Sequence, residues 1–290
     1  MSQKENTNQS RSGRLMILVT ALLWGLAGVC VKSISWGPLP IVAVRSFLSM
    51  WLFAFVKKSF RVRLSKANLI GGTLNTATSI LYVVAMKLTT AGTAIVLQYT
   101  APVLVFLYAV IFRKRKSSLG ETLLTLAVFA GCALSFLDNL DLTRLLGNSL
   151  AFLSAFTFAG QILVMNGEDC DAQDAIMISN TMCFLICVPF LFTETLAWTP
   201  KNIFWLLVMG IFQYGLANVL FSRGIHHVDP VEASILLTLE PIFNPIPVAI
   251  LCGEKMSTLA IIGSVIVIVS VTLHGLLPRL SLASDRPPDT

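Results

Sequence analysis

Ten apolar segments, each about as long as a membrane-spanning helix, follow one another along the 290-residue chain. A helix needs roughly 20 apolar residues to cross the hydrocarbon, where no water can bind its backbone amides. With 55% hydrophobic and 12% charged residues, the chain has too much apolar surface for one soluble core. The predicted spans are 14–33, 39–56, 67–86, 91–112, 118–137, 147–165, 173–192, 202–221, 230–251 and 257–277. The sequence therefore predicts an all-α integral membrane protein embedded in a lipid bilayer.

Polar tails precede and follow the spans, at residues 1–13 and 280–290, and both are predicted to be disordered. Lysine and arginine are concentrated in alternate connections, since fifteen of the 21 basic residues fall on the side that also holds both tails. Basic residues favour the cytoplasmic side of a membrane, so both termini are predicted to be cytoplasmic. This bias explains the formal net charge of +6, and we therefore predict no nucleic-acid partner.

The chain contains an internal repeat. Residues 85–102 align with residues 224–241, at an offset of 139, and in both copies a polar break leads into an apolar segment that contains a proline. The two repeats extend over residues 14–137 and 147–277, with five predicted spans in each. Because five is an odd number, two copies of one fold enter the membrane with opposite orientations. The sequence thus predicts ten transmembrane helices in two inverted five-helix repeats.

A stripe of polar side chains recurs at equivalent positions of the repeats. In the third span four residues share one helix face: Asn75, Thr78, Ser79 and Tyr82. At the offset of 139, Asn75 aligns with Tyr214 and Ser79 with Asn218. Such stripes either line a substrate cavity between the repeats or join helices through hydrogen bonds. Further candidates for substrate binding lie on other spans: Trp24, Gln98, Tyr99, Gln161 and Asn180.

Two charged residues inside predicted spans are candidates for coupling or gating. Arg45 lies within the second span, where it either snorkels to the membrane boundary or turns inward. An inward arginine needs a structural ion pair or the carboxylate of a ligand. Glu240 lies near the middle of the ninth span, before Pro241, which leaves the carbonyl of Leu237 without its helical donor. We therefore expect a kinked or opened helix there. The Glu240 carboxyl either takes up a proton, holds a cationic group of the substrate, or is a structural acid bonded to a neighbouring helix.

Signatures of several other functional classes are missing from the sequence. The chain has no P-loop, HExxH or GxSxG motif, so we predict neither an enzyme nor a cofactor. The six cysteines form no CxxC pair and His226-His227 has no neighbouring ligand cluster, so we predict no metal site. The sequence also contains no filter-like run of the kind that channels use. A duplicated membrane half is instead typical of a secondary transporter.

Several short motifs, in order and spacing, resemble the EamA-type branch of the drug/metabolite transporter superfamily. They are Leu22-Leu23-Trp24-Gly25, Arg45, the break at residues 85–91, Leu239-Glu240-Pro241 and Gly253-Glu254-Lys255. The resemblance extends over residues 14–277 and implies a ten-helix carrier of amino acids or other small metabolites, of a kind that often exports from the bacterial inner membrane. The chain departs from the family in its basic run 113–116, where Gly-Glu is frequent. It also has Ala101 before the first-repeat proline, where the second repeat has Glu240.

The sequence and the resemblance together predict export of a small amphipathic metabolite, an amino acid or a related compound, by alternating access. Proton coupling is one option for the driving force. The alternative is proton-coupled efflux of drugs or cationic compounds, although the first span lacks the carboxylate through which small multidrug relatives exchange protons. A channel or a membrane enzyme is the least favoured class. Substrate identity, and the choice between monomer and homodimer, stay open at this point.

Overall fold

The computed structural model describes residues 3–112, 114, 118–137, 142–228, 233, 236–237, 239–253 and 257–284. The first repeat contains α1 (Gln3–Trp24), α2 (Ala27–Ser33), α3 (Pro38–Lys57), α4 (Lys66–Leu88), α5 (Ala91–Gln98), α6 (Ala101–Ile111) and α7 (Leu119–Leu137). The second contains α8 (Leu142–Met165), α9 (Ala172–Cys187), α10 (Phe190–Thr193), α11 (Pro200–Leu207), a π-helix (Val208–Leu216), α12 (Ala217–Gly224), a 3₁₀ turn (Ile225–His227), α13 (Leu239–Phe243), α14 (Pro245–Cys252) and α15 (Thr258–Ser284).

These helices provide ten apolar membrane segments. Seven helical stretches are long and apolar enough to cross a membrane, and three shorter ones lie at Thr122–Leu134, Leu239–Cys252 and Ile261–Leu273. The outer surface of the bundle is apolar, as lipid requires: Phe55, for example, is 80% exposed. The predicted all-α membrane fold with two five-helix repeats is thereby confirmed.

Three of the spans are broken near their middle. In the first span, α1 ends at Trp24 and α2 begins at Ala27. A Cβ atom on the intervening Gly25 would lie 2.7 Å from Cδ1 of Phe243, so glycine allows the ninth span to approach closely. The fourth span is interrupted between α5 and α6, and the ninth between α13 and α14. Only the break in the ninth span was expected from the sequence.

Helices from the two repeats are interleaved. The most extensive contact across the repeats joins α4 to α8, α4 also packs against α9, and α3 packs against α9 and the π-helix. Small residues permit this approach, since a Cβ on Gly72 of α4 would lie 2.9 Å from the carbonyl oxygen of Ala175 on α9. Helices α7 and α15 pack against each other. The interleaving brings side chains of both repeats to one central space.

The ends of the chain differ from the prediction. Helix α1 begins at Gln3 rather than at residue 14, and α15 continues to Ser284 rather than ending at residue 277. The described parts of the tails 1–13 and 280–290, predicted to be disordered, are therefore helical. Starting a helix fixes several residues for one hydrogen bond, whereas lengthening it adds one hydrogen bond for each residue that is fixed. A helix that has formed in a span can therefore continue beyond the apolar residues. Most of the basic run 113–116, together with Glu254 and Lys255, lies outside the described residues.

An ion pair joins the repeats at the end of the bundle where α3 ends and α9 begins. The Nζ of Lys57 contacts Oδ1 of Asp174, and Oδ2 of Asp174 accepts a 2.9 Å hydrogen bond from the backbone N–H of Arg63. Asp174 is buried and Lys57 only partly so. A carboxylate with little access to water depends on these partners for its stabilisation.

Asp174→Asn should therefore lower the free energy of unfolding by about 1–3 kcal/mol, because the amide keeps the size of the side chain but loses the charge. Reversible unfolding of the purified protein in detergent measures the change. The matched control is Lys66→Gln, which removes an exposed charge from the start of α4 and should alter stability by less than about 0.5 kcal/mol. Equal stability of the two variants would show that the ion pair contributes nothing.

Candidate substrate cavity

A buried cavity lies where the two repeats meet. Its volume is about 60 Å³. Eleven of the thirteen residues singled out from the sequence line it: Trp24, Arg45, Asn75, Thr78, Ser79, Tyr82, Gln98, Gln161, Tyr214, Asn218 and Glu240. Three others also line it: Ala27, Phe158 and Gln213. The polar stripes of the two repeats thus face the same space.

The remaining two candidates contact other groups. Asn180 donates a 3.0 Å hydrogen bond from Nδ2 to the hydroxyl of Ser49, and so joins α9 to α3. Tyr99 follows Gln98 at the break between α5 and α6, and its hydroxyl contacts Glu240. Gln98 lines the cavity, whereas Tyr99 is connected to it through Glu240.

Three wall residues, Ala27, Phe158 and Gln213, were missed by the sequence reasoning. Phe158 lies three residues before Gln161 on α8, and this helical spacing could have identified it. Gln213 directly precedes Tyr214 within the π-helix. The wider i→i+5 winding of that segment lets Gln213 join Tyr214 and Asn218 in the wall, and no sequence signal predicts it.

Arg45 is held in the cavity wall by neutral groups. Its Nη2 donates hydrogen bonds to the backbone oxygen of Ser79, at 3.2 Å, and to the hydroxyl of the same residue. Its Cζ lies 4.3 Å from the ring centroid of Tyr214, a cation–π contact. Arg45 is 3% exposed and forms no ion pair with any carboxylate of the described chain. The structural ion pair considered for this residue is thus not found.

Glu240 is held by the first repeat. Its Oε2 lies 2.6 Å from the hydroxyl oxygen of Tyr99, and that hydroxyl is also 2.8 Å from the carbonyl oxygen of Leu237. Pro241 has no N–H to offer this carbonyl, so Tyr99 supplies the donor that the helix lacks. Arg45 and Glu240 therefore line one cavity without pairing with each other.

Several buried polar atoms in the wall have no hydrogen-bond partner within the described protein. They are Arg45 Nε, Asn75 Nδ2, Tyr82 OH, Gln161 Oε1, Gln213 Oε1 and Asn218 Nδ2. Each unpaired buried polar group costs about 1–3 kcal/mol, so a cluster of six is unfavourable for packing alone. The cluster contains both donors and acceptors and is therefore suited to a polar ligand.

A larger cavity, of about 720 Å³, lies at the end of the bundle where α1 begins. Its wall contains charged residues of both signs: Arg63, Glu168, Asp169, Asp171 and Arg223. We call this larger cavity the vestibule, and Ser222 of α12 also lines it. Along α12, Ser222 and Asn218 of the buried cavity are one helical turn apart, about 6 Å. Phe221 lies between them in the chain, with its ring centroid 5.2 Å from that of Trp24. The walls of the two cavities thus come within one turn of each other along α12.

Tryptophan packing joins two connections at the other end of the bundle. The rings of Trp36 and Trp198 have centroids 4.6 Å apart, and Nε1 of Trp36 donates a 2.9 Å hydrogen bond to the backbone oxygen of Ala197. Asn202 donates from Nδ2 to the hydroxyl of Ser35 at 2.8 Å. These contacts tie the α2–α3 connection to the segment before α11.

The comparisons with known proteins agree with this architecture. The sequence matches the model of the EamA-like transporter family twice, over residues 11–137 and 145–276. A search of curated proteins gave no match. One solved protein crystal structure superposes with a TM-score of 0.69 over 93% of this chain and 99% of its own, and its 14% sequence identity limits the likeness to the fold. Since the two family matches include most of the chain, the chain belongs to the EamA-like transporter family, whose members are membrane transporters of the drug/metabolite transporter superfamily.

Proposed function

We propose that the protein is a secondary carrier that exports a small amphipathic metabolite, an amino acid or a related compound, by alternating access. One observation carries this proposal: Arg45 and Glu240 line the same buried cavity and do not pair with each other. A zwitterion would bring its carboxylate to Arg45 and its ammonium group to Glu240. It would thereby give both buried groups a partner of opposite charge, which a neutral ligand cannot do.

The rest of the wall supports an amphipathic substrate. Aromatic rings of Trp24, Tyr82, Phe158 and Tyr214 surround the cavity and suit an apolar or ring-bearing side chain. The unpartnered amides and hydroxyl around the cavity offer hydrogen bonds to the polar end of the same molecule. Such a wall selects a substrate by its shape and by its charge together.

The size of the cavity supports alternating access. Ligand pockets usually enclose roughly 300–1,000 Å³, so a cavity of about 60 Å³ must widen to accept a substrate. The vestibule lies one helical turn away, and Ser12 and Met16 of α1 line it. With both termini in the cytoplasm, as the basic residues favour, the vestibule is the cytoplasmic entrance. Entry from that side corresponds to export.

Efflux of cationic compounds is the alternative, and one observation favours it: Glu240 is the only carboxylate among the described residues of the wall. The guanidinium of Arg45 in the same wall opposes a purely cationic ligand, because like charges repel in a site with little water. We therefore prefer the zwitterion.

A panel of three related compounds tests this function in proteoliposomes. Phenylalanine carries both charges, 3-phenylpropionate lacks the ammonium group, and phenethylamine lacks the carboxylate. We expect counterflow of phenylalanine to be at least about 10-fold faster than that of either analogue, since each analogue loses a charged contact of about 1.5–3 kcal/mol. Liposomes without protein give the background. Preferential transport of phenethylamine would instead support cation efflux, and preferential transport of 3-phenylpropionate would contradict both functions.

A further inference from the structure

The two proline-broken spans meet at Glu240. Pro102 and Pro241 occupy equivalent positions of the repeats, and each removes the N–H that would bind the carbonyl four residues earlier. In the first repeat, the break leaves Tyr99 between α5 and α6. In the second repeat, Pro241 leaves the carbonyl of Leu237 without a helical donor. The Tyr99 hydroxyl lies 2.8 Å from that carbonyl oxygen, so the break of one repeat completes the hydrogen bonding of the other.

The hydroxyl of Tyr99 has one hydrogen and faces two acceptors. Its oxygen lies 2.6 Å from Oε2 of Glu240 as well as 2.8 Å from the Leu237 oxygen, and both are hydrogen-bond distances. A carbonyl oxygen only accepts, and so does an ionised carboxylate. With Glu240 ionised, one of the two contacts would therefore have no hydrogen. With Glu240 protonated, its O–H donates to the Tyr99 oxygen and the Tyr99 O–H donates to Leu237, so both contacts are satisfied.

We propose that Glu240, Tyr99 and the carbonyl of Leu237 form a proton-binding site that is occupied in this conformation, and that release of the proton opens the ninth span at Pro241. The proton site itself depends only on the hydrogen bonds and burial described above. Its coupling to substrate movement rests on the proposed transport function.

Release of the proton changes the hydrogen bonds of the break. The carboxyl O–H bond breaks, its electron pair stays on Glu240, and the proton passes to water. The single hydrogen of Tyr99 then turns to the carboxylate, because a bond to a charged acceptor is stronger than one to a neutral carbonyl. The carbonyl of Leu237 is left without a donor in a buried position, which is unfavourable until water or a ligand reaches it. The turn of helix before Pro241 therefore becomes the place where the ninth span opens.

The surroundings of Glu240 couple the proton to a cationic ligand group. Tyr99 from the α5–α6 break contacts Glu240, and the other ionisable groups of the described cavity wall are Arg45 from α3, Tyr82 from α4 and Tyr214 from the π-helix. Helices α1 and α14, which also pack against α13, bring no ionisable side chain to the described cavity wall. An ammonium group that arrives beside Glu240 stabilises the carboxylate and expels the proton. One proton thus enters the cell for each zwitterion that leaves.

Infrared spectroscopy of the purified protein tests the proton site without any substrate. We expect the wild type at neutral pH to show a carboxylic-acid C=O band that shifts in deuterium oxide and is absent from Glu240→Gln. Tyr99→Phe should keep the band and move it to higher frequency, because the acid loses its acceptor. The matched control Glu194→Gln changes a partly exposed carboxyl outside the cavity and should leave the band unaltered.

Two results would overturn the proposal: a wild-type spectrum with no carboxylic-acid band at neutral pH, or a band that persists in Glu240→Gln. The Tyr99→Phe shift provides an independent test if Glu240→Gln does not fold, and an unshifted band in a folded Tyr99→Phe protein would also contradict the site. Because no transport is measured, failure of the phenylalanine panel and failure of the proton site are separate outcomes.

Discussion

Arg45→Gln should lower the rate of phenylalanine transport at subsaturating concentration by roughly 30-fold or more, equivalent to about 2 kcal/mol or more for the loss of one partner of a buried charged contact. Glutamine retains a donor toward Ser79 but provides no charge for a substrate carboxylate and no cation–π contact with Tyr214. The protein should remain folded, since removing an unpaired buried charge also removes its desolvation penalty. Initial rates in proteoliposomes and thermal unfolding in detergent measure the two effects.

Arg45→Lys serves as the comparison variant. Lysine keeps the positive charge but lacks the planar fork that reaches Ser79 while lying over the Tyr214 ring. It should retain more transport than Arg45→Gln and less than the wild type. A folded Arg45→Gln protein that transports phenylalanine at the wild-type rate would show that Arg45 does not contact the substrate.

The repeat offset located much of the cavity from the sequence alone. Asn75, Ser79, Tyr214 and Asn218 line one space because equivalent helices of an inverted repeat face the same centre. Helical spacing then placed Tyr82 with Ser79 on one face. Both signals are properties of a regular helix, and so they hold wherever the helix stays regular.

The residues that escaped prediction lie where helices are irregular or where tertiary contacts decide. Tyr99 leaves the cavity wall because α5 ends just before it, and its hydroxyl finds Glu240 and Leu237 on the other repeat. Gln213 enters the wall through a π-helix, whose extra residue per turn depends on packing rather than on composition. Asn180 is a polar residue like those of the cavity wall, but Ser49 lies opposite it and accepts a hydrogen bond from its Nδ2. Spacing along one helix cannot reveal which partner another helix provides.

Glu240→Gln should abolish the accumulation of phenylalanine that a pH gradient drives, reducing it to the level of protein-free liposomes. The amide group of glutamine donates to the Tyr99 oxygen as a protonated carboxyl does, so the hydrogen bond from Tyr99 to Leu237 and the folded state should persist. Glutamine cannot release a proton, however, and it gives an ammonium group no negative charge. Uptake under an imposed pH gradient, followed together with a pH-sensitive dye inside the vesicles, measures both fluxes.

Glu194→Gln provides the control for this experiment, because it replaces a carboxyl of the α10–α11 connection that does not line the described cavity. It should show wild-type accumulation and one proton moved per phenylalanine. The accumulation of phenylalanine by Tyr99→Phe should be intermediate between those of Glu240→Gln and Glu194→Gln. In this variant Glu240 can still bind and release a proton, but no tyrosine hydroxyl links its charge to the carbonyl of Leu237. If Glu240→Gln transports phenylalanine at the wild-type rate with an unchanged pH profile, the carboxyl has no part in coupling. Its bond with Tyr99 would then serve only to hold the broken ninth span against the first repeat.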